Sequence, residues 1–243
     1  MRVATIALTA LIAATPALAE TQTENIVAEQ RTMLSLRAEP AAVQAFLPAG
    51  WTLAAAAGSP NLTLVFMDRA LQLTPDGKVL NAGATRQLTF VVAGKNAAGQ
   101  TRTFIVGGFT ADPLGAPGAY KVYQPASIAL TRTNKADAET TAEEHWTVKG
   151  ADGATVSLDL AYTRGVPTFS SSEIKEYSAA DPEFYRIYRL RQAAEPLKNA
   201  TLDHVKSVSL KASGGRLGAA LNGSETIASI TSAPFYSRLT FLP

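Results

Sequence analysis

The sequence predicts a mainly β protein of α+β type, in which one large antiparallel sheet closes or coils on itself and carries two or three short helices. Three observations predict this. Alternating apolar segments recur along the chain between clusters of Gly, Pro, Asn and Asp. Two neighbouring pairs of these segments can be registered as hairpins, and the strand total of roughly nine to eleven favours closure or strong coiling over a flat open sheet.

The first nineteen residues read as a signal peptide. Met1-Arg2 precedes an apolar run from Val3 to Ala14, and Pro16-Ala17-Leu18-Ala19 supplies the small-x-small ending that signal peptidases cut. The run is too short to span a bilayer permanently, and no later segment approaches eighteen uninterrupted apolar residues. A periplasmic or secreted protein follows, cleaved near Ala19, with no membrane span in its mature form and one domain over residues 20–243.

Glu20 to Gln30 is polar and reads as a loosely held arm, with the first strand at Arg31 to Arg37. Pro40 opens a short helical turn through Leu47 that Pro48 and Gly50 end. Trp51 begins a second extended stretch. From Asn61 to Leu73, Leu62, Leu64 and Phe66 share one face and Val65, Met67, Leu71 and Leu73 the other, so this strand is expected to be buried on both sides. Arg86 to Ala93 and Arg102 to Phe109 form a hairpin in which Leu88, Phe90 and Val92 match Phe104 and Val106. Tyr120 to Arg132 is a long strand.

A second hairpin has a definite register. The three-residue loop Ala151-Asp152-Gly153 pairs Val148 with Val156 and Trp146 with Leu158, puts Gly153 in the left-handed position, and sets His145 opposite Asp159 on the polar face. Tyr162 to Pro167 leads into a polar turn at Ser170-Ser171-Ser172-Glu173. Asp181-Pro182-Glu183 reads as a cap and acidic first turn, predicting a helix over Phe184 to Ala194, although the same residues also fit a strand. Val205 to Lys211, Thr226 to Thr231 and Phe235 to Leu242 complete the sheet, with a short helix at Gly215 to Asn222.

Composition excludes several classes. Lys and Arg total 22 against 20 Asp and Glu, and cleavage after Ala19 removes Arg2, so no long-range field gathers nucleic acid or anionic lipid. With no cysteine there is no disulfide, thiolate nucleophile or sulfur-ligated metal. His145 and His204 are far apart in sequence and write no local histidine metal site, so no transition metal is expected, carboxylate calcium sites stay open, and no cofactor is expected. Serine-hydrolase elbow, phosphate loop, zinc-protease and dinucleotide signatures are all missing from the sequence.

The segment Gly118-Ala119-Tyr120-Lys121-Val122-Tyr123 sets one lysine between two tyrosines. By strand parity Lys121 and Tyr123 share a face, with Tyr120 and Val122 opposite. On an interior face Lys121 would be desolvated toward the neutral amine that a Schiff base needs; on an outer face it would snorkel beside tyrosine. A strand-end Arg164 could bind a carboxylate bidentately or pin a loop to Glu173 or Asp181. The His145–Asp159 pair invites an acid–base reading, but its neighbours Glu143, Thr147, Lys149, Thr155 and Ser157 make an ordinary solvated strand surface.

The layout is similar to the acetoacetate decarboxylase-like superfamily. A short helix ends in Leu47-Pro48-Ala49-Gly50 after the first strand, a large antiparallel sheet follows, and Gly118 to Lys121 forms a mid-chain Gly-x-x-Lys. The resemblance implies a cone-like β-barrel with an internal cavity and a lysine that forms an imine with a keto acid. The decarboxylases of the superfamily carry a second lysine directly after the catalytic one, and here Val122 stands in that place, so members with other chemistry, or none, are equally compatible.

Two functional expectations follow. In the first, an exported barrel binds a small organic acid or another apolar-bodied ligand, with Lys121 as contact or Schiff-base residue and Tyr120 and Tyr123 shaping the wall. Arg86 or Arg164 then holds an anionic group, and if turnover occurs it is lyase chemistry of the decarboxylase type. In the second, a non-catalytic carrier or envelope interaction module adopts a lipocalin-like or sandwich fold, and Lys121 is exposed. Oligomeric state is open in both.

Overall fold

The computed structural model describes residues 23–80, 83–112, 114–136 and 140–243. The signal peptide expected over residues 1–19 lies outside the described residues.

Twelve strands and two short helices are described. The chain runs β1 (Thr23–Arg37), α1 (Pro40–Gln44), β2 (Trp51–Leu53), β3 (Leu62–Leu73), β4 (Thr85–Asn96), β5 (Thr101–Thr110), β6 (Tyr123–Lys135) and β7 (Thr141–Gly150). It continues through β8 (Thr155–Thr163), β9 (Thr168–Ser178), β10 (Tyr185–Lys198), β11 (Val205–Ser213), α2 (Gly215–Ala220) and β12 (Thr226–Phe241).

Seven strands close a ring in the order β5-β9-β10-β12-β1-β3-β4 and back to β5. From β5 the sheet also branches into β6-β7-β8-β11. Every pairing is antiparallel except two short parallel contacts of β5, with β9 at Phe104–Ile105 and with β6 at Gly108–Thr110. The closed sheet expected from the strand count is therefore present, with a mixed rather than purely antiparallel ladder.

The branch folds over the outside of the β1-β3-β4-β5 wall. Leu34, Leu36, Leu64, Phe66, Leu88 and Phe104 of the wall meet Trp146, Val148, Val156 and Leu158 of the branch in the main apolar core. Phe66 and Trp146 lie 5.4 Å apart between ring centroids. The buried Glu144 carboxylate bolts the two layers together. It accepts hydrogen bonds from Thr32 Oγ1 at 2.7 Å, Trp146 Nε1 at 2.9 Å, and Tyr162 Oη and Arg132 Nε at 3.3 Å each. Four donors compensate the desolvation that an unpaired buried carboxylate would suffer.

Strand parity turns the alternate residues of the same wall inward. Leu62, Leu64 and Phe66 of β3 enter the main core, whereas Val65, Met67 and Arg69 face the ring axis. The β7–β8 hairpin has the expected register: Trp146 opposes Leu158, Val148 opposes Val156, and His145 opposes Asp159. Gly153 supplies the left-handed residue at φ 83°.

The β4–β5 hairpin differs in detail. Val92 opposes Phe104 as expected, but a bulge between Phe90 and Val91 carries Phe90 to Gly107 and Leu88 to Phe109. Gly108 sits where β5 passes from β9 to β6. A Cβ there would stand 2.5 Å from both the Leu88 carbonyl oxygen and Tyr123 Cε1, so only glycine lets the Tyr123 ring cross the strand.

Four local expectations are corrected. The arm expected up to Gln30 is strand from Thr23, paired with both β12 and β3. The polar turn expected at 170–173 lies inside β9, whose outer face is exposed. The helix expected over 184–194 is β10: Phe184 N–H donates to the Asp181 carbonyl, so Asp-Pro-Glu forms the turn of a hairpin, and Tyr185 to Ala194 ladder onto β9. The last two expected strands are one, with Pro234 outside both ladders at a bulge.

Candidate functional site

The ring encloses a cavity of about 420 Å³. Val65, Met67, Val91 and Ile105 supply its apolar lining. The same lining carries the guanidiniums of Arg31, Arg69, Arg186 and Arg238 with Glu24 and Glu176, Arg31 standing across the β1–β3 ladder from Met67. Tyr120, Tyr123 and Tyr188 also line it and pack as a small aromatic core with Ile105, Leu190 and Tyr236.

Glu29 stands behind this lining, 4% exposed. It binds Arg31 at 2.5 Å and Arg69 at 3.1 Å. Burial alone would raise its carboxyl, but Arg31, Arg69 and Arg238 outweigh that effect and hold it at about 2. Arg69 also donates to Gln72 and Gln87, and Arg31 lies 3.5 Å from the Tyr236 ring centroid. Arg186 pairs with Glu24.

Arg238 is differently placed. Its guanidinium lies 4.4 Å from the Tyr188 ring centroid, and its Nε is buried with no hydrogen-bond partner among the described residues. Burial disfavours its charge, yet Tyr188, Glu29, Tyr236 and Glu176 more than offset this and it stays a cation. Arg186 Nε and Glu24 Oε2 are likewise buried without partners there.

Burial pushes the hydroxyls of Tyr120, Tyr123 and Tyr188 upward and that of Tyr236 to about 12, so all four are neutral donors. Tyr120 and Tyr188 share a 2.5 Å hydrogen bond, Tyr120 Oη donates to the Glu176 carbonyl at 3.3 Å, and Tyr123 Oη bonds Thr89 Oγ1 at 3.0 Å. Burial also raises the Glu176 carboxyl; Arg31 and Arg238 oppose the rise and Glu29 adds to it.

Of the residues singled out in the sequence, Tyr120 and Tyr123 reach this cavity and the other three do not. Lys121 is corrected. The backbone over 118–121 is a turn closed by the Lys121 N–H on the Gly118 carbonyl, so strand parity does not apply there. Lys121 takes φ 57°, its side chain is 66% exposed, and it faces Asp181 at 3.8 Å outside the ring. Among the described residues no lysine lines the cavity. Arg86 pairs with Asp68 on the opposite face of its strand from Gln87, which does line the cavity. Arg164 binds the buried Glu195 at 3.1 Å, pinning the start of the β8–β9 connection to β10. His145 and Asp159 hydrogen-bond on the exposed face of the branch, each 56% exposed.

Sequence reading missed the four arginines, Glu29 and Glu176. One signal was present: Arg69 has the parity of Val65 and Met67, which were assigned to a buried second face. Among the described residues no group of three or more His, Asp or Glu side chains could hold a metal ion, and no helix is long and apolar enough to cross a membrane.

No protein-family model and no curated protein matches the sequence. Solved structures do match. An acetoacetate decarboxylase-like enzyme from Sphingomonas wittichii RW1 superposes with a TM-score of 0.57 at 12% identity, covering 96% of each chain. The enduracididine biosynthesis enzyme MppR gives 0.56 at 14% identity over 94% of this chain and 88% of that one, and has also been solved complexed with pyruvate. Acetoacetate decarboxylase gives 0.53 at 11% identity over 91% and 88%. The chain thus has the acetoacetate decarboxylase-like fold.

Proposed function

We propose that this protein binds a small organic acid non-covalently inside its ring, with the carboxylate on Arg238 and Arg31 and the apolar body along Val65, Met67, Val91 and Ile105. The observation that carries this reading is the buried Arg238 Nε, which has no hydrogen-bond partner among the described residues and belongs to a guanidinium lining a cavity large enough for a ligand. An unpaired buried donor on a cation is costly, and a carboxylate supplies the acceptor in the favoured planar geometry. The fold-level neighbour MppR, solved complexed with pyruvate, supports a small acid as the ligand class. Lys121 has no part in this reading, since its amine stands in solvent beside Asp181.

Isothermal titration with pyruvate and with straight-chain acids from acetate to octanoate tests it. Binding should weaken about 10- to 100-fold in Arg238→Gln, the worth of a charge-assisted hydrogen bond, and stay unchanged in Lys121→Ala. Borohydride with pyruvate should add no mass to the Lys121 peptide. If no acid binds, or if Arg238→Gln binds as well as the wild type, the reading fails.

Export belongs to the same proposal and rests on the apolar run and the Ala17-Leu18-Ala19 ending in the sequence. Expression with the native leader in a Gram-negative host should yield a periplasmic or secreted chain whose first residue, by mass spectrometry, is Glu20. A cytoplasmic chain retaining Val3 to Ala14 would rule it out.

A further inference from the structure

The charges around the cavity balance, and the balance constrains what an incoming anion needs. Arg31, Arg69, Arg186 and Arg238 line the space; Glu24, Asp112 and Glu176 line it too, and Glu29 stands directly behind. With all eight ionised the set is neutral. A monoanion entering a cavity whose lining has zero net charge meets no surplus cation to compensate its own desolvation.

Three of the acids are committed. Glu29 is held by Arg31 and Arg69, Glu24 by Arg186, and Asp112 Oδ1 accepts the Leu114 backbone N–H at 2.9 Å. Glu176 is not: its carboxyl makes no hydrogen bond or ion pair among the described residues, and its polar contact runs through its backbone carbonyl to Tyr120. It is the acid of the set that can change charge without breaking a pair.

We propose that an organic anion and a proton enter this cavity together, Glu176 taking up one proton for each monoanion bound. The inference rests on the anion-binding reading above. Neutralising Glu176 leaves the lining singly positive, which matches one carboxylate. The groups facing Glu176 are Arg186, its cross-strand partner, and Tyr188 on β10; Arg238 and Tyr236 on β12; Arg31 and Glu29 on β1; and Tyr120 and Tyr123 beyond β5. None of these competes for the proton. The tyrosines are already neutral, Arg238 stays charged, and Glu29 is held ionised to about 2; a guanidinium has no lone pair to offer a proton. Burial, by contrast, already lifts the Glu176 carboxyl toward the protonated form.

Titration calorimetry with pyruvate, in buffers of contrasting ionisation enthalpy from mildly acidic to mildly alkaline pH, reads the proton count directly. Pyruvate's own carboxyl stays ionised throughout. Above the Glu176 midpoint the wild type should absorb close to one proton per pyruvate, and its affinity should fall about tenfold per pH unit, the limit for one linked proton. Glu176→Gln, neutral at every pH, should keep the low-pH affinity and show uptake near zero, while Glu176→Asp should retain uptake with a displaced midpoint. Pyruvate binding without proton exchange in the wild type, or uptake that survives in Glu176→Gln, overturns the coupling and leaves the anion site standing. If neither pyruvate nor any of the straight-chain acids binds at any pH, both are overturned.

Discussion

Glu29→Gln should lower the unfolding free energy by about 3–5 kcal/mol, the usual cost of removing one partner from a buried ionic cluster. The carboxylate is the shared counter-charge of Arg31 and Arg69 and contributes to holding Arg238, so its loss removes the common anion of three largely desolvated guanidiniums. Denaturant titration at neutral pH measures the effect, and a midpoint within experimental error of wild type would remove Glu29 from the account. A pH signature accompanies it. The folded carboxyl at about 2 lies below its ordinary 4.5, so its stabilisation is complete above the unfolded value and disappears as pH falls through the folded one. The difference between wild type and Glu29→Gln should therefore shrink by about 3 kcal/mol between those two values. A difference that is flat across that window would show that Glu29 titrates normally.

Trp146→Ala should cost about 3–5 kcal/mol, because it empties the centre of the core between ring and branch. Trp146 is fully buried against Phe66, and its Nε1 supplies one of the four donors on Glu144. Two losses are combined, cavity formation and a lost hydrogen bond to a buried carboxylate, and Trp146→Phe separates them. The phenylalanine variant keeps most of the packing and should lose about 1–3 kcal/mol for the vacated acceptor. Equal costs in the two variants would show that Glu144 does not depend on the indole.

The parts of the fold legible in the sequence are those where alternation has one apolar and one polar face. The β7–β8 hairpin obeys that rule, with Trp146, Val148, Val156 and Leu158 inward, and loop length then leaves a single register. The first half of β1 violates it. Asn25, Glu29 and Arg31 point into the ring while Ile26 and Ala28 point outward, so a polar interior made a central strand look like a solvated tail. In β10 the inward residues Arg186, Tyr188 and Leu190 alternate with Ile187, Arg189 and Arg191 outward, a mixture that fits helix and strand periods equally well. Pairing with β9 and β12 decided between them. At the site, Tyr120 and Tyr123 are legible from their neighbourhood, but a turn with Gly118 and Lys121 both at positive φ sends Lys121 the other way. The arginine–glutamate cluster draws on β1, β3, β9, β10 and β12, and no linear spacing joins those strands.

The wall formed by β1, β3 and β4 is one backbone thick and separates two incompatible surroundings. Shifting β3 by a single position would drive Arg69 toward the oily interlayer and expose Phe66 to the ionic chamber, a double penalty where an ordinary half-solvated strand incurs one. Single-residue insertions and deletions within Leu62–Arg69 are therefore expected to be far less tolerated than any point substitution there. The alignment of this wall is locked from both sides at once.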